Sequence, residues 1–374
     1  ACKLAKIEIL ELQSKVDDGT ADEDTFAALA AAYLAAKEAR EENKSLFETT
    51  EECAYHMADR HDTGSAAFHR PFKPKSSGTW VDSVFNADWT DPSNPVHDGT
   101  HTTEAGAIPK AFTEYYKNLF ANKPSDPQAA NECLQALERG ARVLPPTALK
   151  CDAPIDCDKE TLPTCAKLPG GKSPGPDRIP NKFYTCFAET IAPMLTDVFN
   201  EALDKGALPD SLLEGLISIL YKKKARNDPR NYRPIALLNC DYKILMRILT
   251  ARMAEAVLQF VSACQTGFVP GAFIAENTML LNLLQAVVDD EDTEALFIFL
   301  DMEKAFDRVS WDYLHAALEA IGFGAGFRSW IKLAYSPDHP PSRKIYVNGY
   351  LSESFNLFCS TAQGCPLSPL LFLV

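Results

Sequence analysis

The chain has 374 residues, 46% hydrophobic and 24% charged, which is globular composition with enough length for two or three domains. Its formal net charge of −14 and pI of about 5.0 argue against a generic basic nucleic-acid binder. Local charge tells a different story: the segment from Lys222 to Arg233 holds six cations against one acid, Asp228, and a groove responds to local charge more than to the total.

In chain order, residues 1–60 read as acidic, Ala-rich helix, with Phe26, Leu29, Tyr33 and Leu34 at helical spacing and a break near Gly19. Residues 61–107 are rich in Gly, Pro, Ser, Asp and His and read as irregular. Ile108 to Phe120 restores a helical stripe with Pro109 near its start. Residues 144–180 read as a Pro-rich connector, Ile191–Lys205 as a helix, and Leu216–Tyr221 as a short strand. Tyr242–Phe260 and Asn277–Val288 are amphipathic helices. Leu296–Leu300 is a continuous apolar run, the pattern of a strand buried on both faces. Ser310 suits the N-cap of a helix carrying Trp311, Leu314, Leu318 and Ile321, stopped by Gly322. Lys344–Val347, then Asn348-Gly349, reads as a hairpin.

No apolar stretch reaches the roughly 20 residues of a membrane span, and no signal-peptide pattern opens the chain. The 11 cysteines are odd in number and irregularly spaced, which fits reduced thiols in an intracellular protein. Cys53, His56, His61 and His69, and likewise Cys151, Cys157 and Cys165, lack the paired spacing of a zinc site. Gly170-Gly171-Lys172-Ser173 fails as a phosphate loop, because Ala166 stands where the first glycine belongs and Pro174 follows at once.

Three places carry chemistry. Asp301, at the end of the apolar run, is placed to hold a hard cation, or is simply a turn residue. The Lys222–Arg233 loop has the cations to clamp a triphosphate, or is a solvated basic loop. The Gln363–Pro369 loop is compact enough to bring backbone amides and the Gln363 side chain near a nucleotide, or is an ordinary Pro-rich turn.

Five ordered blocks make the chain resemble the reverse transcriptases of LINE-type (non-LTR) retrotransposons. They are Gly171-Lys-Ser-Pro-Gly-Pro-Asp177-Arg-Ile-Pro180; Leu220-Tyr-Lys222 through Asn231-Tyr-Arg-Pro-Ile-Ala-Leu-Leu238 and Asp241–Leu245; Gln265-Thr-Gly-Phe-Val-Pro-Gly271; Phe299-Leu-Asp301 through Phe306-Asp307; and Gln363–Phe372. The resemblance implies an α+β fold, with right-hand polymerase fingers and a partial palm over 165–374. A helical segment and Pro-rich connector would span 108–164, and a helical or irregular N-terminal extension 1–107.

It also implies RNA-directed DNA polymerase activity by two-metal, Mg²⁺-dependent nucleotidyl transfer. Asp301 would be the catalytic metal-binding aspartate, with the Met302 carbonyl beside it. Phe306 would lie under the sugar and exclude a 2′-hydroxyl, Gln363 would contact the incoming nucleotide, and Lys222 and Arg233 would hold its triphosphate. The partners would be an RNA template, a DNA primer and deoxynucleoside triphosphates, in the cytoplasm and nucleus, with no membrane; oligomeric state is not implied. The sequence departs from the family at Ala272, where Arg is usual, and at Arg178, where Gly is common. The family's next block, an aromatic-Ala-Asp-Asp hairpin with the second carboxylate, does not occur before Val374. The expectation is therefore a fragment truncated within the palm and inactive alone. The alternatives are a non-catalytic retrotransposon relic with weak RNA binding, or another palm polymerase such as a group II intron maturase.

Overall fold

The computed structural model describes residue 28 and residues 80–374, except residues 105, 123–124 and 291–293. The chain divides into two units, Ala1–Lys75 and Ser76–Val374. Of the first, only Ala28 is described, and it is helical; the remaining helices expected over 1–60 lie outside the described residues.

The second unit is α+β. It opens with an antiparallel pair, β1 (Val84–Asp88) and β2 (Val96–Thr102), followed by α1 (Ala107–Leu119), α2 (Pro127–Arg139) and α3 (Pro145–Asp152). A π-helical turn (Cys157–Thr161) leads to α4 (Leu162–Ala166), α5 (Asn181–Cys186), α6 (Ala188–Lys205) and α7 (Asp210–Leu213). Then come β3 (Glu214–Tyr221), β4 (Tyr232–Leu238), α8 (Cys240–Phe260), α9 (Ala275–Asp290), α10 (Trp311–Ile321) and α11 (Ala325–Ala334). The end is β5 (Ser342–Val347), β6 (Tyr350–Leu351), β7 (Phe355–Asn356) and α12 (Ser368–Leu371).

The main sheet runs β4-β3-β5-β6, with β7 also paired to β5. Central β3 is antiparallel to β4, with Ile217 opposite Ala236, and parallel to β5, with Ile217 opposite Ile345. Gly215, Ile217 and Ile219 bury one face of β3, the period-2 alternation of a half-buried strand. Phe112 and Tyr116 of α1 and the length of α8 join the same core, where Ile244, Leu245, Leu249 and Met253 are fully buried. Gly175 approaches so closely that a Cβ there would stand 2.4 Å from the Asn239 backbone nitrogen, so the 171–180 block packs backbone to backbone against the start of α8.

The local signals of several elements are borne out. Ser310 Oγ accepts from the Tyr313 amide at 3.4 Å, and Gly322 ends α10 at φ 100°. Asn348 and Gly349 both take positive φ, 51° and 87°, which the tight β5–β6 turn requires. Asn348 also grips distant backbone: its side chain accepts from the Val81 amide (3.0 Å) and donates to the Val81 carbonyl (2.6 Å).

Other expectations fail. Of residues 61–107, expected to be irregular, 61–79 lie outside the described residues and the part from residue 80 on holds the β1–β2 pair; 144–180 hold α3, the π-turn and α4. The apolar run Leu296–Leu300 is not a buried strand: it has no regular structure, and Leu296 and Leu300 are 84% and 89% exposed. A strand needs a partner for its backbone groups. Both edges of β3 are taken, β5 is bound by β3, β6 and β7, and the outer edge of β4 receives the Gln363 loop. Helix α9 forms as expected, but none of its side chains is buried.

Candidate active site

Loop Tyr221–Tyr232 is stiffened by its own hydrogen bonds. The Lys222 amide donates to the Asn231 carbonyl at 2.9 Å, the Asn231 side chain to the Ala225 carbonyl at 2.8 Å, and the Tyr232 hydroxyl to the Arg226 carbonyl at 2.6 Å. The Arg226 guanidinium lies over the Tyr221 ring, 4.5 Å from its centroid. Buried Asp228 is committed to Arg230, whose Nε and Nη2 reach its oxygens at 2.8–3.0 Å; that bond holds the Arg230 guanidinium above its ordinary pKa. Lys222, Lys223, Lys224 and Arg233 remain exposed.

The outer edge of β4 positions the second part. The Ala236 amide donates outward to the Gln363 carbonyl at 2.7 Å, so the amide position of Pro234, two residues earlier, also faces outward. Proline therefore deprives the sheet of no bond there. Gly364, at φ 122°, sits where a Cβ would be 2.4 Å from the Ala236 carbonyl, so the Gln363 loop lies flush on the strand.

The third part, Asp301–Arg308, is tied to the same loop. The Thr361 amide donates to the Phe306 carbonyl and the Ser360 amide to the Val309 carbonyl, both at 2.8 Å. The Trp311 indole donates to the Ser360 carbonyl, also at 2.8 Å. Lys304, with positive φ (54°), donates from Nζ to the Tyr232 carbonyl at 2.9 Å, and its burial lowers its pKa. Asp307 is 2% exposed and accepts from Gln363 Nε2 at 3.0 Å. Burial pushes its carboxyl up to about 6, against the opposing pull of Lys304, Gln363 and Arg308.

One cavity of about 860 Å³ results, and every residue singled out from the sequence lines it: Lys222, Arg233, Asp301, Met302, Phe306 and Gln363. Phe306 stacks on Phe372 at 4.5 Å and meets Phe268 edge-on at 5.9 Å. Sequence reasoning passed over Lys304, Asp307 and the Asp228–Arg230 pair. The commitment of Asp228 has a local signal, an acid two residues before an arginine; the burial of Asp307 depends on Cys359–Gln363, some fifty residues on, and has none. Cys151, Cys157 and Cys165 are free thiols, and among the described residues no three His, Cys, Asp or Glu side chains group as metal ligands.

Residues 221–374 match the family described as "Reverse transcriptase (RNA-dependent DNA polymerase)". The chain is 30% identical to the transposon TX1 uncharacterized 149 kDa protein of Xenopus laevis, over 83% of this chain and 22% of that protein. It is 28% identical to the Pol polyprotein of the retrotransposable element R2DM of Drosophila melanogaster, over 54% and 18%. A probable RNA-directed DNA polymerase from transposon BS, also of Drosophila melanogaster, is 29% identical over 58% and 24%. Residues 221–374 are thus a reverse transcriptase domain, and the proteins the chain is similar to come from non-LTR retrotransposons. The chain spans roughly a fifth of the length of these relatives, 22%, 18% and 24% respectively.

Proposed function

We propose that the cavity is the nucleotide site of an RNA-directed DNA polymerase that copies retrotransposon RNA from a DNA primer. The observation that carries this reading is the convergence of Lys222, Arg233, Asp301, Phe306 and Gln363, drawn from three separated segments, on one cavity. In it, Lys222 and Arg233 bind the triphosphate, Arg233 through paired charge-assisted hydrogen bonds. Phe306 packs beneath the sugar, and Gln363 contacts the nucleotide from the β4 edge. Residues 165–374 correspond to fingers and part of a palm, 108–164 to the upstream helical segment and connector, and 1–107 to an extension. The setting is intracellular, cytoplasm and nucleus.

The partner metal is Mg²⁺, with Asp301 and the Met302 carbonyl as hard oxygen donors. Bound metal would activate the primer 3′-oxygen and stabilise the leaving pyrophosphate. The donors fit this role only in part. Asp228 is committed to Arg230, Asp307 to Gln363, and Glu303 lies 3.5 Å from Arg308, which leaves Asp301 as the uncommitted carboxylate of the cavity lining. No two-metal step is therefore assigned to these residues alone.

RNA-templated primer extension tests the reading. The full-length gene product is expected to incorporate deoxynucleotides in an Mg²⁺-dependent, template-directed manner, and a polypeptide of these 374 residues is expected to incorporate none. A full-length product that extends no primer contradicts the polymerase reading. Extension by the 374 residues contradicts the need for further carboxylates.

A further inference from the structure

We propose that Asp307 is a positioning residue for Gln363: its buried carboxylate holds the Gln363 side-chain amide in one orientation at the cavity wall. Gln363 is fixed twice. Its main chain is anchored by the Ala236 amide at 2.7 Å, and its side-chain Nε2 by Asp307 Oδ1 at 3.0 Å. A glutamine side chain has three rotatable bonds, and holding it still needs a partner at its far end. The bond uses one of the two amide hydrogens and thereby sets the side on which Oε1 lies; among the described residues, Oε1 makes no hydrogen bond. That this orientation serves a nucleotide rests on the function proposed above.

Packing alone does not account for an acid at this position. Asp307 is 2% exposed, and its Oδ2 is buried without a hydrogen-bond partner among the described residues. A buried carboxylate with a bare oxygen is destabilising unless its charge is used. An ionised acceptor strengthens the bond to Gln363 roughly twofold over a neutral one. The groups that face Asp307 are Lys304 and Arg308 from its own turn, Gln363 from the β4-edge loop, and Tyr115 and Tyr116 from α1. The Cys359 thiol donates to its main-chain carbonyl at 3.6 Å. The two phenols are pushed upward by burial and stay protonated, so Lys304 and Arg308 are the cations that balance the carboxylate. Burial places the carboxyl at about 6, so the charge-assisted form of the bond prevails above that pH.

The test is the side-chain amide resonance of Gln363 in the 374-residue protein, assigned by its loss in Gln363→Met. It is followed from about pH 4.5 to about pH 8, a range that brackets the expected ionisation. The resonance should shift with a midpoint near 6 in the wild type and stay flat in Asp307→Asn, which keeps the shape of the side chain. A flat wild-type resonance, or one that still titrates in Asp307→Asn, overturns the proposal. A dTTP titration then tests the link to the nucleotide. Asp307→Leu and Gln363→Met should each weaken binding by about tenfold, the double variant by no more than either alone, and Asp307→Asn by less than Asp307→Leu. Additive losses overturn the proposal. If the resonance titrates as expected but the wild type binds no dTTP, the nucleotide reading fails and the positioning bond stands.

Discussion

Asp301→Asn is expected to lower the rate of RNA-templated extension by at least about a hundredfold in a full-length product carrying these residues, with little change in the KM for the nucleotide. Metal stabilisation of a phosphoryl transition state is worth several kcal/mol, and each ~1.4 kcal/mol is tenfold in rate. Asp301 is exposed on the cavity wall and, unlike Asp228 and Asp307, makes no side-chain hydrogen bond or ion pair among the described residues. The substitution therefore removes charge from the reaction without disturbing packing. Asp338→Asn, at an exposed carboxylate outside the cavity lining, serves as control and should leave the rate within about twofold, as surface substitutions usually do. Steady-state kinetics on the three proteins gives the answer. A rate for Asp301→Asn close to that of the control would remove Asp301 from the chemistry.

Arg252→Ala is expected to destabilise the fold by roughly 3–5 kcal/mol, as removal of one partner of a buried ion pair does. Arg252 sits on α8 with its side chain 8% exposed. It meets Glu160 with two bonds of 2.7 Å and donates to the carbonyls of Cys151, Ala153 and Pro154. One guanidinium thus ties the 151–160 connector, which has few regular elements of its own, to the central helix. The Lys150–Glu255 pair is the contrast: both side chains are more than half exposed, so Glu255→Ala should cost under about 1 kcal/mol. Urea denaturation followed by circular dichroism distinguishes the two. Equal losses would mean that Arg252 is not the clamp its geometry suggests.

The sequence exposed those elements whose cause is local. The Ser310 cap, the Gly322 stop and the Asn348-Gly349 turn are each decided within a few residues, and each is found. Strand β4 escaped notice because Pro234 and Arg233 read as loop. It is an edge strand whose proline turns its missing donor away from the sheet, and its buried set of Tyr232, Pro234, Ala236 and Leu238 alternates only once its start is known. Helix α2 carried a readable start, Asp126 before Pro127, and the Asp126 carboxylate does accept from the Gln128 amide at 2.9 Å. Leu296–Leu300 shows the opposite failure: an apolar run states a tendency to be buried, but partner strands decide whether it is. The six candidate site residues were recognisable as separate blocks. Their convergence was not, since it depends on hydrogen bonds between residues 306–311 and 359–363 and on the close fit of Gly364 against Ala236.

The central claim is that the cavity binds a deoxynucleoside triphosphate through its cationic wall, and a dTTP titration of the 374-residue protein in Mg²⁺, wild type against Arg233→Ala, tests it most directly. The account predicts saturable binding by the wild type and a loss of tenfold or more in Arg233→Ala, because charge-assisted hydrogen bonds contribute about 1.5–3 kcal/mol. Absence of binding by the wild type, or equal affinity in the two proteins, would contradict it.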